Sequence, residues 1–143
     1  GGSMQIWVRR RPKLLEKFIK NVEKIKYNLE NYIEKAWSDG KTVIGFGAAA
    51  KGTVLLNYCN LDNSRIKYIV DGTPYKQGKF VPGVNIPIYP ESKLLKEPKG
   101  TVVLILAWNF KEEIMEKLKN RGFTFIIPIP KVEVIKDAHI SSR

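Results

Sequence analysis

The first third of the chain places apolar side chains at steps of three and four, which predicts a long amphipathic helix over residues 13–37. The members of this stripe are Leu15, Phe18, Val22, Ile25, Leu29, Tyr32 and Ala36. Pro12 can precede the helix, and Asp39 with Gly40 can end it, because glycine tolerates the left-handed conformation after a helix C-terminus. The stripe either packs on its own domain or forms a coiled-coil seam with a partner, since both fit this spacing.

Beyond the helix, short and nearly continuous apolar runs alternate with helix-like segments. The apolar runs span residues 42–46, 66–70, 102–106 and 124–129, and the helix-like segments span residues 49–58, 91–97 and 111–120. Strands of this kind are covered on both faces, as in parallel sheets flanked by helices. The pattern predicts an α/β fold with a Rossmann-like, mostly parallel sheet preceded by the long amphipathic helix. Such sheets bind ligands beyond the carboxyl ends of their strands.

Length and composition divide the chain into one domain with short extensions. With 143 residues, it is long enough for a single core. Residues 1–4 have the composition of an expression-tag scar, residues 5–41 form a leading segment with the long helix, residues 42–135 form the Rossmann-like domain, and residues 136–143 are expected to be a flexible tail. Residues 72–90 contain four prolines and three glycines, which predicts one long loop of the type that often binds ligands.

The charge pattern favours anionic small ligands over nucleic acid or membranes. The net charge of +11 divides into +5 for residues 1–41 and +6 for residues 42–143, so the excess is spread along the chain. This distribution predicts a general attraction to anions but no dedicated nucleic-acid groove reader. The chain also lacks an apolar run of about 20 residues and a signal-peptide core, which predicts a cytoplasmic protein without a membrane partner.

A single cysteine, Cys59, and a single histidine, His139, limit the chemistry available to this chain. Neither a structural zinc site nor a Ser-His-Asp or Cys-His catalytic machine can be built from them. The sequence therefore predicts no metal site, and it offers no convincing catalytic base.

A glycine-rich segment follows the first apolar run, where a strand is expected to become a helix. Gly45, Gly47 and Ala50 have the spacing of a dinucleotide-binding fingerprint, and Lys51 adds a positive charge beside the helix N-terminus. Thr53 stands where a Walker loop would carry its lysine, which excludes that motif. The alternative is that these small residues only allow tight packing of the helix on the sheet.

Further polar residues follow the second and third apolar runs. Asp71 has the spacing of the acidic residue that binds ribose hydroxyls, although it can instead cap a turn with Gly72. A second group combines an aromatic ring, a cation and an amide suited to a nucleotide, namely Tyr75, Lys76 and Gln77. Trp108 and Asn109 follow the third run, where Asn109 can contact a ligand or cap a helix.

Several of these segments together resemble the C-terminal domain of S-adenosylmethionine-dependent sugar C-methyltransferases. The resemblance extends in order and spacing over residues 42–130. It is carried by Gly45-Phe46-Gly47-Ala48-Ala49-Ala50-Lys51-Gly52, Leu55-Leu56-Asn57-Tyr58-Cys59, Val70-Asp71, Pro74-Tyr75-Lys76-Gln77-Gly78, Pro82-Gly83, Ile86-Pro87-Ile88, Leu106-Ala107-Trp108-Asn109 and Ile126-Ile127-Pro128-Ile129-Pro130. The chain departs from the family at Asp71-Gly72-Thr73-Pro74, usually Asp-Arg-Asn-Pro, and at Lys51-Gly52-Thr53-Val54, usually Lys-Gly-Asn-Thr.

The resemblance implies the third part of an enzyme that also has a zinc-binding segment and a domain for S-adenosylmethionine. This part would bind a nucleotide-diphosphate sugar beside the cofactor domain of the same polypeptide, and alone it is expected to bind no cofactor and to catalyse nothing. The expected substrate-binding residues are Gly45, Gly47, Ala49, Lys51, Gly52, Asn57, Asp71, Tyr75, Lys76, Gln77, Trp108 and Asn109. Two alternatives remain, a free-standing NAD-type or CoA-type domain and an interaction module that uses the N-terminal helix.

Overall fold

The computed structural model describes residues 12–137 and begins with the long helix that the sequence predicts. Helix α1 (Pro12–Ser38) ends before Gly40, whose φ of +78° is the left-handed conformation expected after a helix. The tag-like residues 1–4 and His139 lie outside the described residues. Within the described range, no helix combines the length and the apolar character needed to cross a bilayer.

A six-stranded sheet forms the centre of the molecule and confirms the predicted α/β class. Its strands are β1 (Val43–Phe46), β2 (Tyr68–Val70), β3 (Ile88–Tyr89), β4 (Val102–Ile105), β5 (Thr124–Ile127) and β6 (Glu133–Lys136). They are arranged in the order β3-β2-β1-β4-β5-β6, with every pairing parallel except that of β5 with β6. The order reverses between β1 and β4, which places the expected ligand edge at the carboxyl ends of these two strands.

The connections differ from the sequence prediction in three places. Strand β3 lies inside the predicted loop 72–90, and the predicted helix 91–97 is a 3₁₀ helix, Glu91–Lys96. Helix α2 (Ala50–Tyr58) agrees with its prediction, whereas α3 (Lys111–Lys117) is shorter than predicted. Asn120 has a φ of +66°, so the segment has left the helical conformation before the predicted end at residue 120.

Two apolar layers enclose the sheet, one on each face. The first layer joins α1 and α2 to the sheet through residues such as Leu29, Ile33 and Leu56. The second layer joins α3 and the 3₁₀ helix Glu91–Lys96 to the opposite face through Leu94 and Ile114. Because both faces are covered, the central strands are apolar throughout, as the sequence pattern indicates.

Only the second half of α1 contacts the sheet layer closely. Ile25, Leu29, Ile33 and Ala36 are buried, which confirms that this half packs on its own domain. Phe18 is 64% exposed and Tyr32 is 45% exposed, so these two residues of the apolar stripe do not pack on the domain as the first alternative predicts. Ile33 takes the buried position because it lies one turn from Leu29, whereas Tyr32 is rotated about 100° away from Ile33.

The C-terminal part of the described chain is held against the sheet. Strand β6 includes Lys136, which the sequence analysis assigned to a flexible tail. The carboxylate of Asp137 accepts hydrogen bonds from the backbone N–H groups of Arg121 and Gly122, at 3.0 and 3.1 Å. The chain is therefore ordered two residues beyond the predicted domain boundary at 135.

Candidate functional site

The glycine turn between β1 and α2 lies at the expected ligand edge. Gly47 has a φ of +97°, and a Cβ atom there would lie 2.8 Å from the Cβ of Ala107, just after β4. Its N–H donates a hydrogen bond of 2.8 Å to the carbonyl oxygen of Val70 at the end of β2. Gly47 therefore lets the turn approach the ends of β2 and β4, the two strands that flank β1.

Gly45 and Gly52 have packing roles beneath this turn. A Cβ on Gly45 would lie 2.8 Å from Ile69, and one on Gly52 would lie 2.8 Å from the Cβ of Leu106. Gly52 thus brings α2 close to the sheet, a role that the sequence analysis gave to Ala50. Both glycines are buried, so they affect the site through the packing beneath the turn.

The N-terminus of α2 faces the ligand edge without a side-chain cap. Ala49 is the N-cap residue, and its side chain has no hydrogen-bonding group. The N–H groups of the first helical turn, at Ala50, Lys51 and Gly52, precede the first helical hydrogen bond, which Thr53 donates to Ala49. Lys51 is exposed in this turn and adds a full positive charge. The helix end is therefore suited to an anion.

Asp71 lies at the end of β2, and both oxygens of its carboxylate accept hydrogen bonds from the backbone. The N–H of Ala48 donates to Oδ2 at 2.7 Å, and the N–H of Thr73 donates to Oδ1 at 2.8 Å. Burial raises the pKa of Asp71, but the hydrogen bonds from Thr73 and Ala48 and the charge of Lys76 together hold this pKa below its usual value. Asp71 is thus an ionised group that ties β2 to the glycine turn.

In the segment after Asp71, two of the predicted side chains bind the backbone and one faces solvent. The Nζ of Lys76 donates to the carbonyl oxygen of Ala48 at 2.9 Å, and the side-chain amide of Gln77 donates to the carbonyl oxygen of Asp71 at 2.8 Å. Tyr75 is 70% exposed and lies beside the Nζ of Lys79, which is 5.8 Å from the centre of its ring. Of the three predicted residues, only Tyr75 has a fully outward side chain.

The remaining predicted site residues have structural roles or stand apart. Asn57 donates to the carbonyl oxygens of Thr53 and Pro82 and so holds α2 against the β2–β3 connection. Trp108 is half-buried and packs against both apolar layers. Asn109 is exposed and does not cap α3, because the N-cap residue there is Phe110.

Two clefts border the glycine turn, one lined by Gly47 and the other by Ala48. The first has a volume of about 330 Å³ and is lined by Phe46, Gly47, Asp71, Gly72, Thr73, Glu91, Ala107, Phe110, Glu113, Ile114 and Lys117. The second has a volume of about 250 Å³ and is lined by Ala48, Thr53, Tyr75, Lys76, Lys79, Phe80, Val81, Pro82 and Ile88. The first cleft has three carboxylates and one cation, whereas the second has two cations, so the two clefts suit different parts of a ligand.

A family model described as the C-methyltransferase C-terminal domain matches residues 7–130. The chain belongs to this family. It is also 38% identical over 122 residues to a protein named C-methyltransferase NovU from Streptomyces niveus. That alignment covers 82% of this chain and 29% of the relative, so the chain spans less than a third of the relative's length. These findings confirm the C-methyltransferase family that the sequence motifs indicate.

The family match includes α1, since it begins at residue 7. The long helix is therefore part of the C-methyltransferase C-terminal domain.

The structure adds Thr73, Lys79, Phe80, Glu91, Glu113 and Lys117 to the two clefts of this C-methyltransferase domain. Lys79 and Phe80 follow the predicted segment 75–77, so their proximity in sequence was an available signal. Glu91 and Lys117 meet across the first cleft, with 3.0 Å between Nζ and Oε1. They come from segments 26 residues apart, and no motif links them.

Proposed function

We propose that this chain contributes the nucleotide-diphosphate-sugar site of a longer, S-adenosylmethionine-dependent sugar C-methyltransferase. The observation that carries the proposal is the uncapped N-terminus of α2, which follows a glycine turn whose residues Gly47 and Ala48 each line one of the two clefts. Membership of the C-methyltransferase family supports the reaction class. Methyl transfer would take place against a cofactor domain elsewhere in the longer polypeptide.

The diphosphate would bind at the N-terminus of α2. Its charge complements the helix dipole and the first-turn N–H groups, which have no partner within the helix. Lys51, Lys76 and Lys79 lie on this part of the surface and add positive charge. Tyr75 and Phe80 border the second cleft, and their exposed rings suit stacking against a nucleotide base.

The sugar would enter the first cleft, where charge disfavours phosphate. Asp71, Glu91 and Glu113 line this cleft together with a single cation, Lys117. Carboxylates accept hydrogen bonds from sugar hydroxyl groups and repel a phosphate. The ligand would therefore cross the glycine turn, with its phosphates on one side and its sugar on the other.

A second domain would complete this site. Ligand pockets usually hold about 300–1,000 Å³ and cover most of their ligand. Volumes of about 330 and 250 Å³ in two separate clefts fall at or below the lower end of that range. The cations around α2 fit an anion and not the positively charged sulfonium of the methyl donor, so S-adenosylmethionine would bind elsewhere in the enzyme.

Calorimetry with uridine and thymidine diphosphate glucose tests the proposal on the 143-residue chain. We expect saturable binding with a Kd on the order of 0.1–1 mM, because half of the site is missing. Lys51→Ala should weaken binding. Lys96→Ala is the matched control, since Lys96 is an exposed lysine that precedes β4 at the opposite edge of the sheet. Saturable binding of S-adenosylmethionine, or of NAD without any sugar nucleotide binding, would contradict the proposal.

An NAD-type function would use the carboxylate of Asp71 for a ribose. In that function the acidic side chain accepts hydrogen bonds from ribose hydroxyl groups. Here both carboxylate oxygens already accept backbone hydrogen bonds, from Ala48 and Thr73. Each oxygen can accept a further hydrogen bond, from a sugar or a ribose hydroxyl group, so it is membership of the C-methyltransferase family that favours the sugar-nucleotide function.

A further inference from the structure

Two charged side chains form hydrogen bonds with the backbone of Ala48, the residue between Gly47 of the glycine turn and the N-cap residue of α2. The carboxylate of Asp71 accepts a hydrogen bond from the N–H of Ala48, and Lys76 donates one to the carbonyl oxygen of the same residue. We propose that Asp71 and Lys76 are positioning residues that fix the backbone of Ala48 and thereby aim the N-terminus of α2 at a bound diphosphate. The diphosphate ligand in this inference rests on the proposed function, whereas the two hydrogen bonds to Ala48 are independent of it.

The two hydrogen bonds restrict both backbone torsions of Ala48. The N–H belongs to the peptide unit that joins Gly47 to Ala48, and the carbonyl belongs to the unit that joins Ala48 to Ala49. Holding both units fixes φ and ψ of Ala48, because these angles describe the rotations between the two units. The residue before it, Gly47, is in a left-handed conformation that is also freely adopted by an unconstrained glycine. The pair therefore selects one path from the strand into the helix.

The positioning residues are themselves held by the β2–β3 connection. Asp71 is fixed by the N–H of Thr73 on its carboxylate, by Gln77 on its carbonyl oxygen, and by its own N–H donating 2.9 Å to the carbonyl oxygen of Tyr89. The Nζ of Lys76 lies 4.0 Å from Oδ2 of Asp71, so the two charges also attract each other. The β2–β3 connection and the glycine turn thus form one connected unit.

A direct-contact role and a positioning role predict opposite effects of removing the Asp71 charge. A carboxylate near a diphosphate repels it, so a purely electrostatic account expects Asp71→Asn to bind inorganic pyrophosphate more tightly. A ribose contact would leave pyrophosphate affinity unreduced, since pyrophosphate has no ribose. Positioning predicts weaker binding, because an asparagine side chain has only one strong acceptor for the two backbone N–H groups.

Calorimetry with pyrophosphate decides between these outcomes. We expect Asp71→Asn and Lys76→Met each to weaken binding about tenfold, and the double variant to bind no more weakly than the weaker single variant, because both act through Ala48. Asp62→Asn is the matched control, since the carboxylate of Asp62 accepts a similar turn hydrogen bond from the N–H of Ser64 before β2, at the opposite edge of the sheet. Unchanged or tighter binding by Asp71→Asn, or losses that add, would overturn the proposal.

A spectroscopic measurement tests the hydrogen bonds without ligand. We expect the Ala48 amide resonance to shift and its hydrogen exchange to accelerate at least tenfold in Asp71→Asn. Gln77→Leu should give a smaller change of the same kind without altering any charge, which also guards against a variant that fails to fold. An Ala48 amide that is unaffected in both variants would refute the positioning role. If the unmodified chain binds neither pyrophosphate nor sugar nucleotides, the proposed function fails, while the amide measurement still decides the role of the pair.

Discussion

Asp71 stabilises the fold only in its ionised form, because a protonated carboxyl group accepts hydrogen bonds from two N–H groups less well. Its folded-state pKa lies below the usual value of 3.8. A carboxyl group of this kind adds stability above its unfolded-state pKa, and this stability is lost as the pH falls through the folded-state pKa. The contribution of Asp71 is therefore complete at neutral pH and declines below about pH 4.

We expect Asp71→Asn to lower the free energy of unfolding by about 1–3 kcal/mol at pH 7, since one backbone N–H loses its acceptor. The difference between the two proteins should shrink as the pH is lowered from 5 towards 3. Urea unfolding at a series of pH values measures both quantities. A difference that is constant over this range would show that the charge of Asp71 does not contribute.

Gly47→Ala should destabilise the protein by about 2 kcal/mol or more, because it combines a left-handed backbone with a contact to Ala107 that is too close. Gly100→Ala is the control. Gly100 has a φ of +90° with no atom within 4 Å of the added Cβ, so it reports the backbone cost alone. Equal losses in urea unfolding for the two variants would show that the turn tolerates the contact with Ala107.

At the scale of elements, α1 behaves as two halves. The half that contains Leu29 and Ile33 is buried and linked to the start of β2, where Arg65 forms two hydrogen bonds with Glu34 and lies 4.0 Å from the ring centre of Trp37. In the other half, residues 13–24 include no buried side chain. Periodicity alone predicts a helix but cannot predict which of its turns lie on the sheet.

Leu29→Ala should therefore cost about 2–5 kcal/mol, as expected for a fully buried leucine. Phe18→Ala should change the free energy of unfolding by less than about 0.5 kcal/mol, because Phe18 is mostly exposed. Thermal or urea unfolding of the two variants provides the comparison. A large loss from Phe18→Ala would mean that the first half of α1 also contributes to the core.

Sequence patterns predicted the elements whose signal is local and strong. The strands β1, β2, β4 and β5 were found because each is a continuous apolar run, and α2 because it follows a glycine turn. Strand β3 has only two residues and lies among prolines, so its pairing with β2 depends on the tertiary fold. Strand β6 has a charged residue at each end and only two apolar residues between them, which gave no clear pattern.

The candidate site was predicted to a similar extent. The sequence placed the glycine turn, Asp71 and the 75–77 segment at one edge of the sheet, and the structure brings these residues together. It did not predict that the polar atoms of Asp71, Lys76 and Gln77 bind the backbone, because those partners become neighbours only after folding. Residue types therefore indicated the location of the site better than the role of each side chain.

At the scale of the whole molecule, positive charge should govern ligand binding. We expect the affinity for uridine diphosphate glucose to fall roughly threefold to tenfold between about 50 and 300 mM salt, because exposed cations near α2 are screened. Calorimetry at several salt concentrations measures this change. An affinity that is independent of salt would place the diphosphate away from Lys51, Lys76 and Lys79.

The antiparallel strand β6 also determines where the molecule can be attached to a surface. Thr124 at the start of β5 pairs with Lys136, so the chain returns to the edge of the sheet that lies opposite the two clefts. A tether or fluorophore introduced after Asp137 would therefore start from the far side of the molecule. Immobilisation at that point should leave the two clefts open to a ligand in solution.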